Sequence, residues 1–122
     1  MTTAIYGMPE VRILDHRFVE FLKPFPFFSD IIGWAEIPTG FICDLESIPL
    51  FRGTCPIGGS IHDFICRIGA IPGITKKVAA DVYIEFLKFR GTSYIKRYGK
   101  YWVVRGYWGY FHKFNVLDDP RS

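Results

Sequence analysis

Apolar and polar residues alternate in Val11-Arg12-Ile13 and again in Phe18-Val19-Glu20-Phe21, the period-2 pattern of half-buried strands. Strands are therefore expected over Val11 to Asp15 and Phe18 to Lys23. Pro24 and Pro26 close that run, because proline cannot donate to a central ladder. Ile31 to Ile37 reads as a further strand, with Pro38-Thr39-Gly40 as a turn into Phe41-Ile42-Cys43.

Beyond Pro49 the period changes. Phe51 to Gly59 is a loop rich in glycine, proline and threonine. Ser60 then stands where a helix cap would, with Asp63 three residues on at the capping-box position. Ile61, Phe64, Ile65 and Ile68 recur at helical spacing, which leaves His62, Asp63, Cys66 and Arg67 on the other side. After the turn Ala70-Ile71-Pro72-Gly73, Thr75 caps a second helix running to Arg90, and Gly91 is placed to end it. A third helix is expected over Ser93 to Phe111, although Gly99, Gly106 and Gly109 each weaken it by up to ~1 kcal/mol. The pattern predicts an α+β fold: a small N-terminal antiparallel sheet, then two or three helices packed on it. Residues 1–122 form a single domain in this reading, with strands and loops over 1–50 and helices over 60–114.

Composition agrees with a folded chain. Of 122 residues, 49% are hydrophobic and 18% aromatic, which excludes a disordered polar segment. Uncharged stretches are broken well before about 18 residues, so no transmembrane helix is expected, and Met1 to Glu10 lacks the basic start and apolar run of a signal peptide. Cys43, Cys55 and Cys66 are odd in number, which fits a reduced compartment, or a chain that does not rely on a disulfide framework. The net charge of +3 hides an asymmetry: residues 1–75 hold five Lys/Arg against eight Asp/Glu, whereas 76–117 hold nine against two. An acidic front suits a cation, and a basic aromatic back suits an anionic surface; the alternative is that the halves neutralise each other.

The residues able to do chemistry are His62, Asp63, Asp81 and Asp44. Adjacent helix positions point about 100° apart, so His62 and Asp63 face different neighbours. If His62 faces the second helix, Asp81 would accept from one ring nitrogen and leave the other as a base for water. Asp63 would then face the Asp44-Leu45-Glu46 loop, where two carboxylates and loop carbonyls supply oxygen ligands for calcium. Each residue has a plainer reading. Asp63 would pair with Arg67 at i+4 or cap its own helix, and Asp81 would join the surface row Lys77, Asp81, Glu85, Lys88. His62 would then be a packing histidine. Cys43, Cys55, His62 and Cys66 form a second constellation. His62 and Cys66 have zinc-ligand spacing, but no Cys-x-x-Cys pair accompanies them, and small buried cysteines are the alternative. From Tyr94 to Lys113, aromatics interleave with Lys96, Arg97, Lys100 and Arg105. This stretch would be an anionic-lipid surface, a stacking platform, or a core-facing helix whose cations face water.

Ile37-Pro38-Thr39-Gly40-Phe41, Asp44-Leu45-Glu46-Ser47-Ile48-Pro49, His62-Asp63 and Ala80-Asp81, in that order, resemble an uncharacterised phage and prophage family, domain of unknown function 1353. The likeness spans roughly residues 11–90. It implies a bacteriophage or prophage origin, hence a virion or host-cytoplasm location, and no established activity. His62-Asp63-Phe64-Ile65-Cys66-Arg67 is more distantly similar to the helix of prokaryotic phospholipase A₂ that packs against a second, Asp-bearing helix. That resemblance implies a calcium-assisted ester hydrolase on membrane lipid, with His62 as base, Asp81 orienting it, Asp63 as calcium ligand and Asp44 as an upstream ligand. Cys66 stands where those enzymes have tyrosine, their disulfides have no counterpart here, and the N-terminal sheet is foreign to them. The rival expectation is a non-catalytic virion or tail-associated protein whose His-Asp pair is a bracket between helices. Its partners would be an anionic membrane surface or other virion proteins, met through the C-terminal stretch, rather than nucleic acid. An HD phosphohydrolase would need further His and Asp ligands, which His16 and His112 are not placed to supply.

Overall fold

The computed structural model describes residues 3–15, 18–44, 56–89, 91 and 114–121, with Asp44 and Pro56 described by their backbone alone. The expected third helix and the basic aromatic stretch lie outside these residues, as do the loop after Asp44, Cys55, His16 and His112.

The fold is α+β, with strands first and helices second. Six strands precede two helices: β1 (Ala4–Ile5), β2 (Val11–Ile13), β3 (Phe18–Phe21), β4 (Phe25–Ser29), β5 (Gly33–Ile37), β6 (Ile42–Asp44), α1 (Pro56–Cys66) and α2 (Lys76–Phe89). The strands form two three-stranded antiparallel sheets rather than one, in the orders β1-β4-β5 and β2-β3-β6. The first sheet depends on a strand that the sequence hides. Pro26 is the second residue of β4, paired with Glu36. Its missing N–H points toward β1, which pairs only at Phe27 and Phe28, and its carbonyl still accepts from Tyr6 N at 3.3 Å. The reciprocal bond to Tyr6 O is the one proline forfeits, and its place just beyond the last β1–β4 pair makes that loss tolerable.

The turn at Pro38-Thr39-Gly40 forms as expected. Gly40 takes φ 89°, a conformation glycine adopts without steric cost, and its N–H donates to Phe21 O at 2.8 Å. That bond joins the chain leaving β5 to the second sheet.

Helix α1 begins five residues earlier than its cap motif predicts. Pro56 starts it, a favoured first position because the N–H it lacks would be unpaired there. Ser60 is therefore inside the helix and caps nothing; its hydroxyl lies 3.4 Å from Cys43 Sγ. Helix α2 matches its signals. Thr75 Oγ1 accepts from Val78 N at 3.2 Å, and Gly91, at φ 84°, donates to Lys88 O at 3.0 Å.

One buried cluster joins the elements. Val19 and Phe21 of β3, Phe25 and Phe27 of β4, Ile61, Phe64 and Ile65 of α1, and Val82 and Phe86 of α2 all belong to it. The rings meet edge-on: Phe27 stands at 90° to both Phe64 and Phe86, with centroids 6.3 and 5.5 Å away. Such edge-to-face pairs add to area burial. No helix among the described residues is long and apolar enough to cross a membrane.

Candidate functional site

Helix α1 is buried all round rather than on one stripe. His62, Asp63, Cys66 and Arg67, on the side away from Ile61 and Ile65, are covered as fully as the apolar face. Buried charge is costly unless paired and hydrogen-bonded, and Asp63 meets that condition through Arg67. Arg67 Nε lies 3.2 Å from Asp63 Oδ1, and Nη2 lies 3.2 Å from Oδ2, a two-pronged geometry characteristic of guanidinium and carboxylate. Arg67 Nη2 also donates to Ile42 O at 2.9 Å. The guanidinium lies over Phe41, 4.8 Å from its centroid, and 5.7 Å from that of Phe114. One cation thus connects α1, the strand β6 and the C-terminal segment.

His62 is 5% exposed. Its ring centroid lies 5.4 Å from that of Tyr83 on α2, and Cys66 Sγ stands 3.6 Å from Nε2 and 3.9 Å from Nδ1. Burial pushes the imidazole pKa down to about 4, so the ring is neutral at pH 7. Burial, reinforced by the Asp63 charge and opposed by Arg67, pushes the Cys66 thiol well above its ordinary value. The thiol stays protonated and is a poor nucleophile.

The structure does not bring Asp81 to His62. Asp81 Oδ2 accepts from Lys77 Nζ at 2.8 Å on the outer side of α2, where Asp81 is 30% and Lys77 66% exposed. Helix geometry gives the reason. Tyr83 faces α1, and a residue two positions away is turned by about 200° around the axis. Asp81 is therefore directed to solvent while Tyr83 takes the place beside the imidazole.

Asp44 closes β6, opposite Phe18, while its side chain and the acidic loop that follows lie outside the described residues. Of the zinc constellation, Cys43 is next to Ser60 and His62 is next to Cys66. Among the described residues no three of His, Cys, Asp and Glu are placed to share a metal ion.

One polar site escaped the sequence reading. Glu85, expected in the surface row with Asp81, turns inward to the first sheet. Its Oε1 accepts from Ser29 Oγ at 2.5 Å and its Oε2 from Asp30 N at 2.6 Å, and Thr3 Oγ1 donates to the same carboxylate. The signal was one of composition: Ser29-Asp30 opens a turn with an N–H to satisfy, but nothing local says which acid reaches it.

Compared with known protein families, curated proteins and solved structures, the chain matches none.

Proposed function

We propose that this chain is a non-catalytic assembly component of phage or prophage origin, in which His62 and Asp63 are structural. The observation that carries this reading is the engagement of Asp63. Its carboxylate is buried against Arg67, which is in turn bonded to Ile42 O, so the residue acts as a bracket between α1 and β6. A calcium ligand must exchange its partner for the ion, and here that exchange would leave a guanidinium buried without its counter-charge.

The rest of the His-Asp constellation supports the same reading. A general base needs hydrogen-bond reach to water and a group that fixes its tautomer. His62 is instead enclosed by a thiol and a phenol ring, and Asp81 is engaged with Lys77. The alternative, a calcium-assisted phospholipase with His62 as base, Asp81 orienting it and Asp63 and Asp44 on the ion, requires all three described side chains to change partners.

The test is a pair of measurements on purified protein. With calcium and anionic vesicles, no fatty acid is expected under conditions where a phospholipase control releases it. In a calcium thermal-shift titration, neither wild type nor Asp63→Asn should gain stability, although Asp63→Asn melts lower at every calcium concentration. Calcium-dependent stabilisation present in wild type and lost in Asp63→Asn would overturn the bracket reading, since a ligand that binds only the folded state raises its stability.

A further inference from the structure

The first sheet ends on an open edge beside an aromatic, acidic face. Strand β5 pairs only with β4 among the described residues. The ladder alternates: in an antiparallel pair, residues that exchange N–H···O bonds alternate with residues whose backbone groups point away. Pro26 has no N–H to exchange, and its carbonyl turns away from β5 toward Tyr6 N. The pair Pro26–Glu36 is therefore of the second kind, and so is Phe28–Trp34, two residues along. Consequently the backbone N–H and C=O of Trp34 and Glu36 point outward from the free edge of β5, a ready template for another strand.

The side chains next to that edge are unusual for a solvated sheet face. An antiparallel sheet packed on one side normally presents polar residues on the other. Here the outward positions are Ala4, Tyr6, Pro26, Phe28, Trp34 and Glu36. Trp34 is 56% exposed and Tyr6 43%. The two rings stack with centroids 4.8 Å apart and planes at 28°, and Phe28 stands edge-on to Trp34 at 5.8 Å. The charges on this sheet and its connecting turn are Asp30 and Glu36, with no lysine or arginine across 25–37.

We propose that β5 is a docking edge for an extended, cation-bearing segment of a partner protein, which adds as a strand. Main-chain bonds to Trp34 and Glu36 supply the attachment, as in other strand-addition complexes. Side chains on one face of an added strand recur every second residue, matching the spacing of Trp34 and Glu36. A lysine or arginine opposite Trp34 lies over aromatic faces, which attract cations. A second, two residues on, meets the Glu36 carboxylate. Among the described residues of this sheet a negatively charged segment finds two carboxylates and no counter-charge, which sets the sign of the partner. The edge stands independently of how His62 is read, since an enzyme could carry it equally.

The test is amide hydrogen exchange on the full chain, titrated with a blocked hexapeptide alternating threonine and lysine. Exchange at the Trp34 and Glu36 N–H groups should slow saturably, and a peptide with glutamate for lysine should have no effect. N-methylation of the peptide residues whose N–H groups face the edge should abolish the protection. Glu36→Lys, at an exposed position, should weaken binding about tenfold with an unchanged thermal melt. Three outcomes overturn the proposal: no protection at saturating peptide, equal affinity for Glu36→Lys, or protection that grows with protein concentration alone, which would make the occupant a second copy.

Discussion

Protonating His62 puts a charge between α1 and α2, where it meets the Cys66 thiol and the Tyr83 ring. The adjacent Asp63 is turned about 100° away and holds Arg67. The folded-state pKa of about 4 lies below the ordinary 6.5. The folded state therefore resists taking up the proton that the unfolded chain accepts. The stability tied to this group is fully present above pH 6.5 and is lost as pH falls toward 4. The shift corresponds to about 3 kcal/mol. The unfolding free energy from denaturant melts should fall, between pH 7.5 and pH 4, by about that amount more in wild type than in His62→Gln, which has nothing to titrate there. Equal slopes would show that the imidazole charges without strain. The neighbouring ion pair gives a second expectation. Removing one partner of a buried pair leaves a lone charge and costs about 3–5 kcal/mol. Asp63→Asn and Arg67→Met should each destabilise by that order in urea melts. The double variant should recover part of the loss, because no unpaired charge remains.

At the scale of an element, α2 is fastened to the first sheet by a residue that looks like surface. Glu85 accepts from Ser29 and from the backbone of Asp30, whereas Asp81, one turn earlier, meets exposed Lys77. Glu85→Ala leaves those donors unsatisfied in a half-buried place and should cost about 1–3 kcal/mol. Asp81→Ala should cost a few tenths, about what an exposed i,i+4 pair contributes. Chemical denaturation of the two variants, side by side, checks the ordering. Sequence shows where such elements lie better than what they touch. Helix α2 was readable because Thr75 and Gly91 are local signals acting on the backbone next to them, and Asp63–Arg67 was readable as one option because i,i+4 spacing is local too. Strand β4 was not, because the harm done by Pro26 depends on how far its neighbour β1 extends. The start of α1 was misplaced because Ser60 has the chemistry of a cap and is used instead against Cys43. The failure to pair Asp81 with His62 has the same origin: the rotation of α2 about its axis is set by Val82, Tyr83 and Phe86 seeking the core.

Across the whole molecule, the two sheets and two helices meet through a relay of rings. Phe25 and Phe41 flank Phe21, Phe41 meets Phe64, and Phe64 meets Phe27, which meets Phe86. Phe27 is the junction, since it comes from the first sheet and touches both helices, and it is wholly buried. Truncating it removes a large apolar side chain and leaves a cavity lined by the rings of Phe64 and Phe86, one from each helix. Phe27→Ala should therefore cost about 3–5 kcal/mol, against a total of about 5–15 kcal/mol for a folded domain. If the relay makes sheets and helices one cooperative unit, the loss is shared. Far-ultraviolet dichroism, which follows helices, and tryptophan fluorescence should then give coincident denaturant midpoints in wild type, and both should shift together in Phe27→Ala. Midpoints that separate in the variant would show that the helical pair is stable without the sheet. The bracket of Asp63, Arg67 and Ile42 O would then be a tether between two units, not a part of one core.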